Sequence, residues 1–254
     1  MIPAERQRLI LSMLKEKEIC TIGELTTKLA VSHMTVRRDI AKLEERGRVF
    51  SVAGGVQRIE SVREEQTHQA KSTQNLEIKS ALGQACANLV PQQATVYLDA
   101  GTTMLEVART LAKRDDILVV TNDLLIAEYL TVHGTCNHYL TGGRIDRNNH
   151  SCVGDMAASF VSRLNIDVAF VSATCWDPRG ISSPSEAKVM VKKALVKVSK
   201  QTILVSDSSK FGRSGTFLAM ENQNFDMIVC DDKLPQSYKD LLHQLDVELL
   251  EIQG

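Results

Sequence analysis

Aromatic side chains are scarce in this chain: they make up 4% of it, with a single tryptophan. A core must therefore be packed almost entirely from aliphatic residues. No apolar run approaches the roughly 20 residues that a membrane-spanning helix needs. The opening stretch MIPAERQRLILSMLKEKE carries charges throughout, which fits neither a signal peptide nor a membrane span. A cytoplasmic chain with no membrane partner is expected. The six cysteines, Cys20, Cys86, Cys136, Cys152, Cys175 and Cys230, lie far apart, with no C-x-x-C and no histidine at ligand spacing. That argues against a zinc module and fits inert thiols in a reducing compartment; no metal and no cofactor are expected. An excess of one charge is missing too. Thirty basic and 31 acidic residues leave a net charge of -1, so any nucleic-acid affinity must come from local clustering. Neither G-x-x-x-x-G-K-S/T nor a G-x-G-x-x-G following a strand occurs, which excludes the common nucleotide cradles.

What is present divides the 254 residues into unlike parts. Residues 1–58 read as three short helices and a hairpin. Ala4 to Lys17 brings Leu9, Ile10, Met13 and Leu14 onto one helical face. Thr21 and Glu24, three residues apart, form a capping-box pattern that opens a second helix carrying Ile22, Leu25 and Leu29. Ser32 caps a third, with Val36, Ile40 and Leu43 as its buried stripe and Gly47 beyond its end. Arg48 to Arg58 alternates around Gly54-Gly55, a dipeptide suited to a tight turn. Residues 59–75 are polar and read as a linker, partly helical. From Leu76 to the end at 254 the pattern is α/β. Strands are expected at Thr95–Leu98, Ile117–Thr121, His138–Leu140, Val168–Ser172, Thr202–Ser206 and Met227–Cys230. Helices are expected at Leu76–Leu89, Thr103–Lys113, Leu124–Val132, Gly154–Leu164, Pro184–Ser199 and Gln236–Leu245. Such alternation implies a mostly parallel sheet covered on both faces, with ligands at the carboxyl ends of its strands.

With Val36, Ile40 and Leu43 turned inward, the third helix shows Met34, Arg38 and Ala41 outward, flanked by Thr35, Arg37 and Lys42. Paired arginines near the N-terminal end of a third helix suit the major groove, where Arg grips guanine O6 and N7 or neutralises a phosphate. Asp39 beside them reads as a residue that holds an arginine in place. Met1 to Glu60 holds 11 basic and 8 acidic residues, a surplus of 3. Charge alone equally admits a solvated helical bundle that binds protein, its arginines paired with carboxylates. In the α/β part, Tyr97-Leu98-Asp99-Ala100-Gly101-Thr102-Thr103 is a strand, a small turn and a helix start, a geometry that attracts anions. Lys188 and Lys210 offer positive charge, with Arg144 and Arg213 as weaker candidates. Trp176 reads either as a platform for a sugar or as packing.

Ser32-His33-Met34-Thr35-Val36-Arg37-Arg38-Asp39-Ile40, followed by Leu43, Gly47 and Gly54-Gly55, closely resembles the DeoR-type repressors of sugar catabolism. Asp-Ala-Gly-Thr-Thr from Asp99, Thr-Asn-Asp from Thr121, Thr-Gly-Gly from Thr141, Val153-Gly154 and the run from Asp207 to Arg213 extend the resemblance over nearly the whole chain. It implies a winged helix-turn-helix followed by an effector and oligomerisation domain similar to ribose-5-phosphate isomerases and CoA transferases. On this resemblance, double-stranded operator DNA is the partner of Thr21, Ser32, His33, Met34, Thr35, Arg37, Arg38, Ala41, Lys42 and Arg48. A small phosphorylated sugar or sugar acid is the partner of Asp99, Gly101, Thr102, Thr103, Asn122, Gly142, Gly143, Lys188, Asp207 and Lys210. The expected function is a sequence-specific regulator, a repressor of a carbohydrate operon relieved by its effector, working as a homo-oligomer (dimer or tetramer). The competing expectation is an isomerase-like enzyme with a DNA-binding appendage. In one respect the sequence departs from the pattern. Family members commonly carry Arg and His or Tyr shortly before the wing Gly-Gly, and here Ser51, Val52 and Ala53 stand there, so phosphate contacts fall to Arg48 or Arg58 and more weight rests on the third helix.

Overall fold

The computed structural model describes residues 1–253. Its first sixty residues build a winged helix-turn-helix. Helix α1 (Pro3–Lys17) leads through a short strand β1 (Ile19–Thr21) into α2 (Ile22–Leu29). Thr21 caps α2 as its pattern predicts: its hydroxyl accepts from the Glu24 amide, and the Glu24 carboxylate accepts in return from the Thr21 amide. Ala30, in the left-handed conformation, turns the chain into α3 (His33–Glu45). The hairpin β2 (Val49–Val52) and β3 (Gly55–Arg58) completes the wing. Sequence pattern missed β1, which pairs antiparallel with β3 to give a three-stranded sheet in the order β1-β3-β2. Gly55 is required by that pairing, because a Cβ there would sit 2.6 Å from the Cys20 carbonyl oxygen. The small core joins Ile10, Leu14, Leu25, Leu29, Val36, Ile40 and Leu43 to Cys20, Val49 and Val56. On α1 the buried stripe is Gln7, Ile10 and Leu14; Leu9 is exposed and Met13 only half-buried, against expectation. Gln7 turns inward because α1 leans on α3 there, and its amide reaches Asp39 at 3.3 Å.

The stretch expected as a linker holds a two-residue strand β4 (Glu60–Ser61) and a short helix α4 (His68–Ser72). It then enters α5 (Leu76–Asn88), and the α/β part begins: β5 (Thr95–Leu98), α6 (Thr102–Leu111), β6 (Leu118–Thr121), α7 (Leu124–His133) and β7 (Asn137–Leu140). A hairpin of β8 (Arg144–Asp146) and β9 (Ser151–Val153) precedes α8 (Asp155–Val161), β10 (Ile166–Ser172), β11 (Cys175–Asp177), β12 (Gly180–Ser183), α9 (Glu186–Val198) and β13 (Ser199–Val205). The chain finishes with β14 (Arg213–Ser214), β15 (Phe217–Glu221), β16 (Met227–Asp231), α10 (Gln236–Gln244) and β17 (Glu248–Ile252).

Seven strands form one sheet in the order β17-β16-β13-β10-β5-β6-β7, all pairs parallel. Successive residues alternate between two cores. Val96, Leu98, Val168 and Phe170 pack under α5, α6 and α7, while Tyr97, Ala169 and Val171 pack under α8, α9 and α10. Both faces are covered, so both sets are apolar, which is why these strands read as unbroken hydrophobic runs. The edge strand β17 escaped the sequence reading because Glu248 and Glu251 break its apolar run. From β5 the order runs outward through β6 to β7, and from β10 outward the other way. The reversal between β5 and β10 opens a crevice at their carboxyl ends.

The two parts are docked on each other. Phe50 of β2 meets Phe211 edge to face, with ring centroids 5.1 Å apart, and Phe211 packs in turn on Trp176 and Tyr238. The Arg179 guanidinium lies over Gly47, the Ser237 hydroxyl donates to the Ser51 carbonyl, and β4 pairs with β14. Trp176 is fully buried and its indole N–H donates to the Tyr238 hydroxyl at 2.8 Å, so of its two readings packing holds. Replacing Phe50 by Ala is expected to cost about 3 kcal/mol of this contact. Hydrogen exchange should then accelerate at β2, β4 and β14 while α5, α6 and the large sheet keep their protection.

Candidate functional site

Two surfaces carry the candidate residues. The first is the outer face of α3. Ser32 caps the helix, its hydroxyl accepting from the Thr35 amide at 3.3 Å, and the Thr35 hydroxyl lies 3.0 Å from it. Val36, Asp39, Ile40 and Leu43 are buried; His33, Met34, Arg37, Arg38, Ala41 and Lys42 are exposed, Met34 by 70%. Asp39 does not hold Arg37 or Arg38. Its carboxylate accepts from Arg6 Nε at 2.6 Å and from Gln7, tying α3 to α1. Among the described residues no carboxylate pairs with Arg37, Arg38, Lys42 or Arg48. The reading of a bundle whose arginines are spent on internal pairs therefore fails for these four. Thr21 is exposed at the start of α2, but its hydroxyl is engaged in the cap. The wing residues Ser51 and Val52 are half-buried and Ala53 is exposed; β2 lies against α10.

The second surface is the crevice between the ends of β5 and β10, a narrow cleft with about 40 Å³ of free space between its side chains. Asp99 follows β5 and accepts from the backbone and hydroxyl of Ser172 at 3.0 and 3.1 Å and from the Lys192 ammonium. Four lysines converge here: Lys71, Lys188, Lys192 and Lys210. Lys188 and Lys192 sit four residues apart on α9 and so share a face, a helical spacing that the sequence already carries. Lys71 and Glu65 come from the polar linker, where no periodicity marks them. Glu65 bridges Lys71, at 2.7 Å, and Lys188. Burial pushes the Glu65 carboxyl up, but the two ammonium groups overcome it and hold it at about 2. Burial raises the Asp207 carboxyl in the same way, and Lys210, at 3.5 Å, with Ser209 and Asn75 outweighs it and brings it below the ordinary range.

The candidate effector residues fare unevenly. Asp99, Gly101, Thr102, Thr103, Asn122, Lys188 and Lys210 line the cleft, and Asp207 lines its continuation toward the linker. Gly142 and Gly143 lie outside it, in the turn between β7 and β8, where both have positive φ. The Gly101 amide is already spent on Asp123 at 3.0 Å, and the Asn122 side chain on Tyr97 and the Cys152 carbonyl. What remains open is the N-terminal turn of α6 and the hydroxyls of Thr103 and Ser151, which are buried, line the cleft and, among the described residues, have no hydrogen-bond partner. A buried hydroxyl without a partner is costly, so both are free to take a polar group. All six cysteines are buried and free, and among the described residues no group of His, Cys, Asp or Glu is arranged to hold a metal.

Residues 6–62 match the family model described as the DeoR-like helix-turn-helix domain, and residues 74–232 match the DeoR C terminal sensor domain. The chain is 45% identical over 249 residues to an uncharacterized HTH-type transcriptional regulator of Haemophilus influenzae, covering 98% of this chain and 97% of the relative. It is 46% identical over 250 residues to the uncharacterized regulator YgbI of Escherichia coli, covering 98% of each. To the HTH-type transcriptional repressor GlcR of Bacillus subtilis it is 30% identical over 250 residues, 98% of this chain and 96% of the relative. Among solved structures, a ribose 5-phosphate isomerase A of Methanocaldococcus jannaschii overlaps 54% of this chain and 55% of its own, with a TM-score of 0.40 and 13% identity.

Lys79, buried in the continuation of the cleft toward the linker, gives a pH signature. Burial first, then Lys210, lowers its ammonium from the ordinary 10.5 to about 8. Between those values the unfolded chain holds a proton that the folded chain has released, so this residue makes stability rise with pH across the window. Urea midpoints measured from pH 7.5 to 10 are expected to climb more steeply for the wild type than for Lys79→Met.

Proposed function

The chain belongs to the DeoR family of helix-turn-helix transcriptional regulators, and from that premise we propose that it is a repressor of a carbohydrate or sugar-acid operon, released by a phosphorylated sugar or sugar acid. It is a DNA-binding regulator and not an enzyme, as its full-length relatives are named. On this reading residues 1–58 form the DNA-binding head, 59–75 the connection and 76–254 the effector and oligomerisation domain.

The observation that carries the DNA reading is the unpaired, exposed cationic face of α3. His33, Met34, Arg37, Arg38, Ala41 and Lys42 enter the major groove, with Arg38 at the centre of the face opposite Val36, Ile40 and Leu43. Ser32 and Thr35 set the start of the helix, and Thr21 and Arg48 flank it toward the phosphates. Ser51, Val52 and Ala53 offer the wing little polarity, so the operator is read mainly by α3. The observation that carries the effector reading is the lysine cluster at the switch point beside the unpaired Thr103 and Ser151 hydroxyls. A dianionic phosphate answers to Lys71, Lys188 and Lys210, and hydroxyl groups of a sugar answer to Thr102, Thr103 and Ser151. Two copies place their heads on half-sites about 34 Å or a multiple apart. A change in head placement on effector binding then weakens the operator complex.

Mobility shifts over DNA upstream of the protein's own gene test the first half. Arg38→Ala is expected to weaken specific binding by about 1–3 kcal/mol with unchanged thermal stability, since the side chain is solvated. Equal operator affinity in the variant would remove Arg38 from the interface. A thermal-shift panel of sugar phosphates and sugar acids tests the second half. A cognate ligand at a hundredfold excess over its Kd stabilises the fold by about 2.7 kcal/mol, and Lys188→Ala should erase that shift.

A further inference from the structure

Glu65 is out of place in a site built for anions. The cleft gathers four lysines against two carboxylates, Asp99 and Glu65. Asp99 belongs to the sheet and is committed to Lys192 and Ser172. Glu65 belongs to the connecting segment, and its side chain is only 11% exposed. It sits between the Lys71 and Lys188 ammonium groups, where an oxyanion of a ligand would sit. Lys188 has a second carboxylate, Asp146, at 3.3 Å; among the described residues the Lys71 ammonium has only the Asn149 side-chain oxygen besides Glu65. Beside the same cluster the Thr103 and Ser151 hydroxyls are left without partners, so the cleft is charge-satisfied by Glu65 but not hydrogen-bonded by it.

The segment that carries Glu65 is also the one that ties the head down. On its N-terminal side the Glu60 amide donates to the Gly212 carbonyl and the Val62 amide to the Ser214 carbonyl. On its C-terminal side the His68 amide donates to the Asn148 carbonyl. Between these anchors the Glu65–Lys188 pair fastens the segment to the cleft, while the Glu65–Lys71 pair lies within the segment itself.

We propose that Glu65 is a tethered anion that occupies the Lys71–Lys188 pair in the empty protein, and that an anionic effector enters by displacing it and so loosens the connection to the head. This rests on the reading of the cleft as the effector site. Two anions cannot share the same two ammonium groups without repulsion, so ligand affinity and linker attachment are linked with opposite sign. A phosphate monoester, with a charge of about -1.5 to -2 at neutral pH, competes better than a single carboxylate. Displacement also frees the ligand to reach Thr103 and Ser151, contacts that Glu65 does not make.

The test uses the full chain and inorganic phosphate, with sodium chloride of equal ionic strength as the control. Phosphate is titrated calorimetrically into the wild type and Glu65→Gln, and hydrogen exchange is followed over residues 60–72. The Gln variant is expected to bind phosphate about tenfold tighter. Its linker amides should exchange, without phosphate, as fast as those of the phosphate-saturated wild type. Glu65→Asp, one methylene shorter and still charged, should fall between the two and serves if the Gln variant folds poorly. Equal phosphate affinity in wild type and variants overturns the tether and leaves the cleft an anion site. Weaker binding in Glu65→Gln also overturns it and makes Glu65 a support of the site. Absence of phosphate binding in every protein removes both the anion site and the tether.

Discussion

The buried pair of Asp99 and Lys192 is the contact on which the effector half depends. Asp99 stands at the end of β5, Lys192 projects from α9, and Ser172 at the end of β10 donates to the same carboxylate. Three elements from both sides of the reversal in strand order are joined at one oxygen. An ion pair in such a place offers little net stability, because desolvation offsets the attraction; removing one partner strands a buried charge and is costly. What the pair supplies is position. It holds α9 across the open crevice, and Lys188, one turn earlier on the same helix, is thereby aimed into the cleft. The lysine cluster follows from that placement.

A single loop then joins this cleft to the DNA-binding head. It begins at Asp207 and Lys210, paired with each other at the cleft, and continues directly through Phe211, Gly212 and Arg213. Phe211 touches Phe50 of the wing, Gly212 and Arg213 touch the strand that starts the linker, and Trp176 and Tyr238 back Phe211 from the core. Packed aromatic contacts of this kind have discrete arrangements and transmit strain poorly by bending. A shift of Lys210 toward a ligand therefore has a short path of rigid parts to the head. The linker, with Glu65 and Lys71 in the cleft and β4 on β14, runs parallel to it. Pocket and head are thus connected twice, through elements that both end within the lysine cluster.

Much of this architecture was legible before any coordinates. The stripe Val36, Ile40 and Leu43, spaced for a helix, decided which face of α3 is buried and so which face is left exposed. Five of the seven parallel strands announced themselves as short apolar runs, because a strand covered on both faces must be apolar on both; the exposed edge strand β7 showed only as a β-rich stretch. Thr21 and Ser32 stated their caps by local chemistry alone. Legibility ended where a residue's role depends on a distant partner. Asp39 looked like a neighbour for Arg37 or Arg38, and α1 supplies Arg6 and Gln7 instead. Gly142 and Gly143 looked like pocket residues, yet they shape a turn beyond it.

By itself the sequence determined the helix-turn-helix, the parallel α/β class and the exposed arginines, since periodicity and capping act over one or two turns of chain. Tertiary structure alone decided that the polar connection lines the cleft at the switch point. Glu65 and Lys71 carry no periodic signal, and their meaning arises only when the fold brings them against Lys188, more than a hundred residues away. It also decided that the wing leans on Phe211 and α10. Local pattern reports which residues want burial; it cannot report which of many equally charged side chains will face each other across a crevice, because that depends on the strand order of the whole sheet.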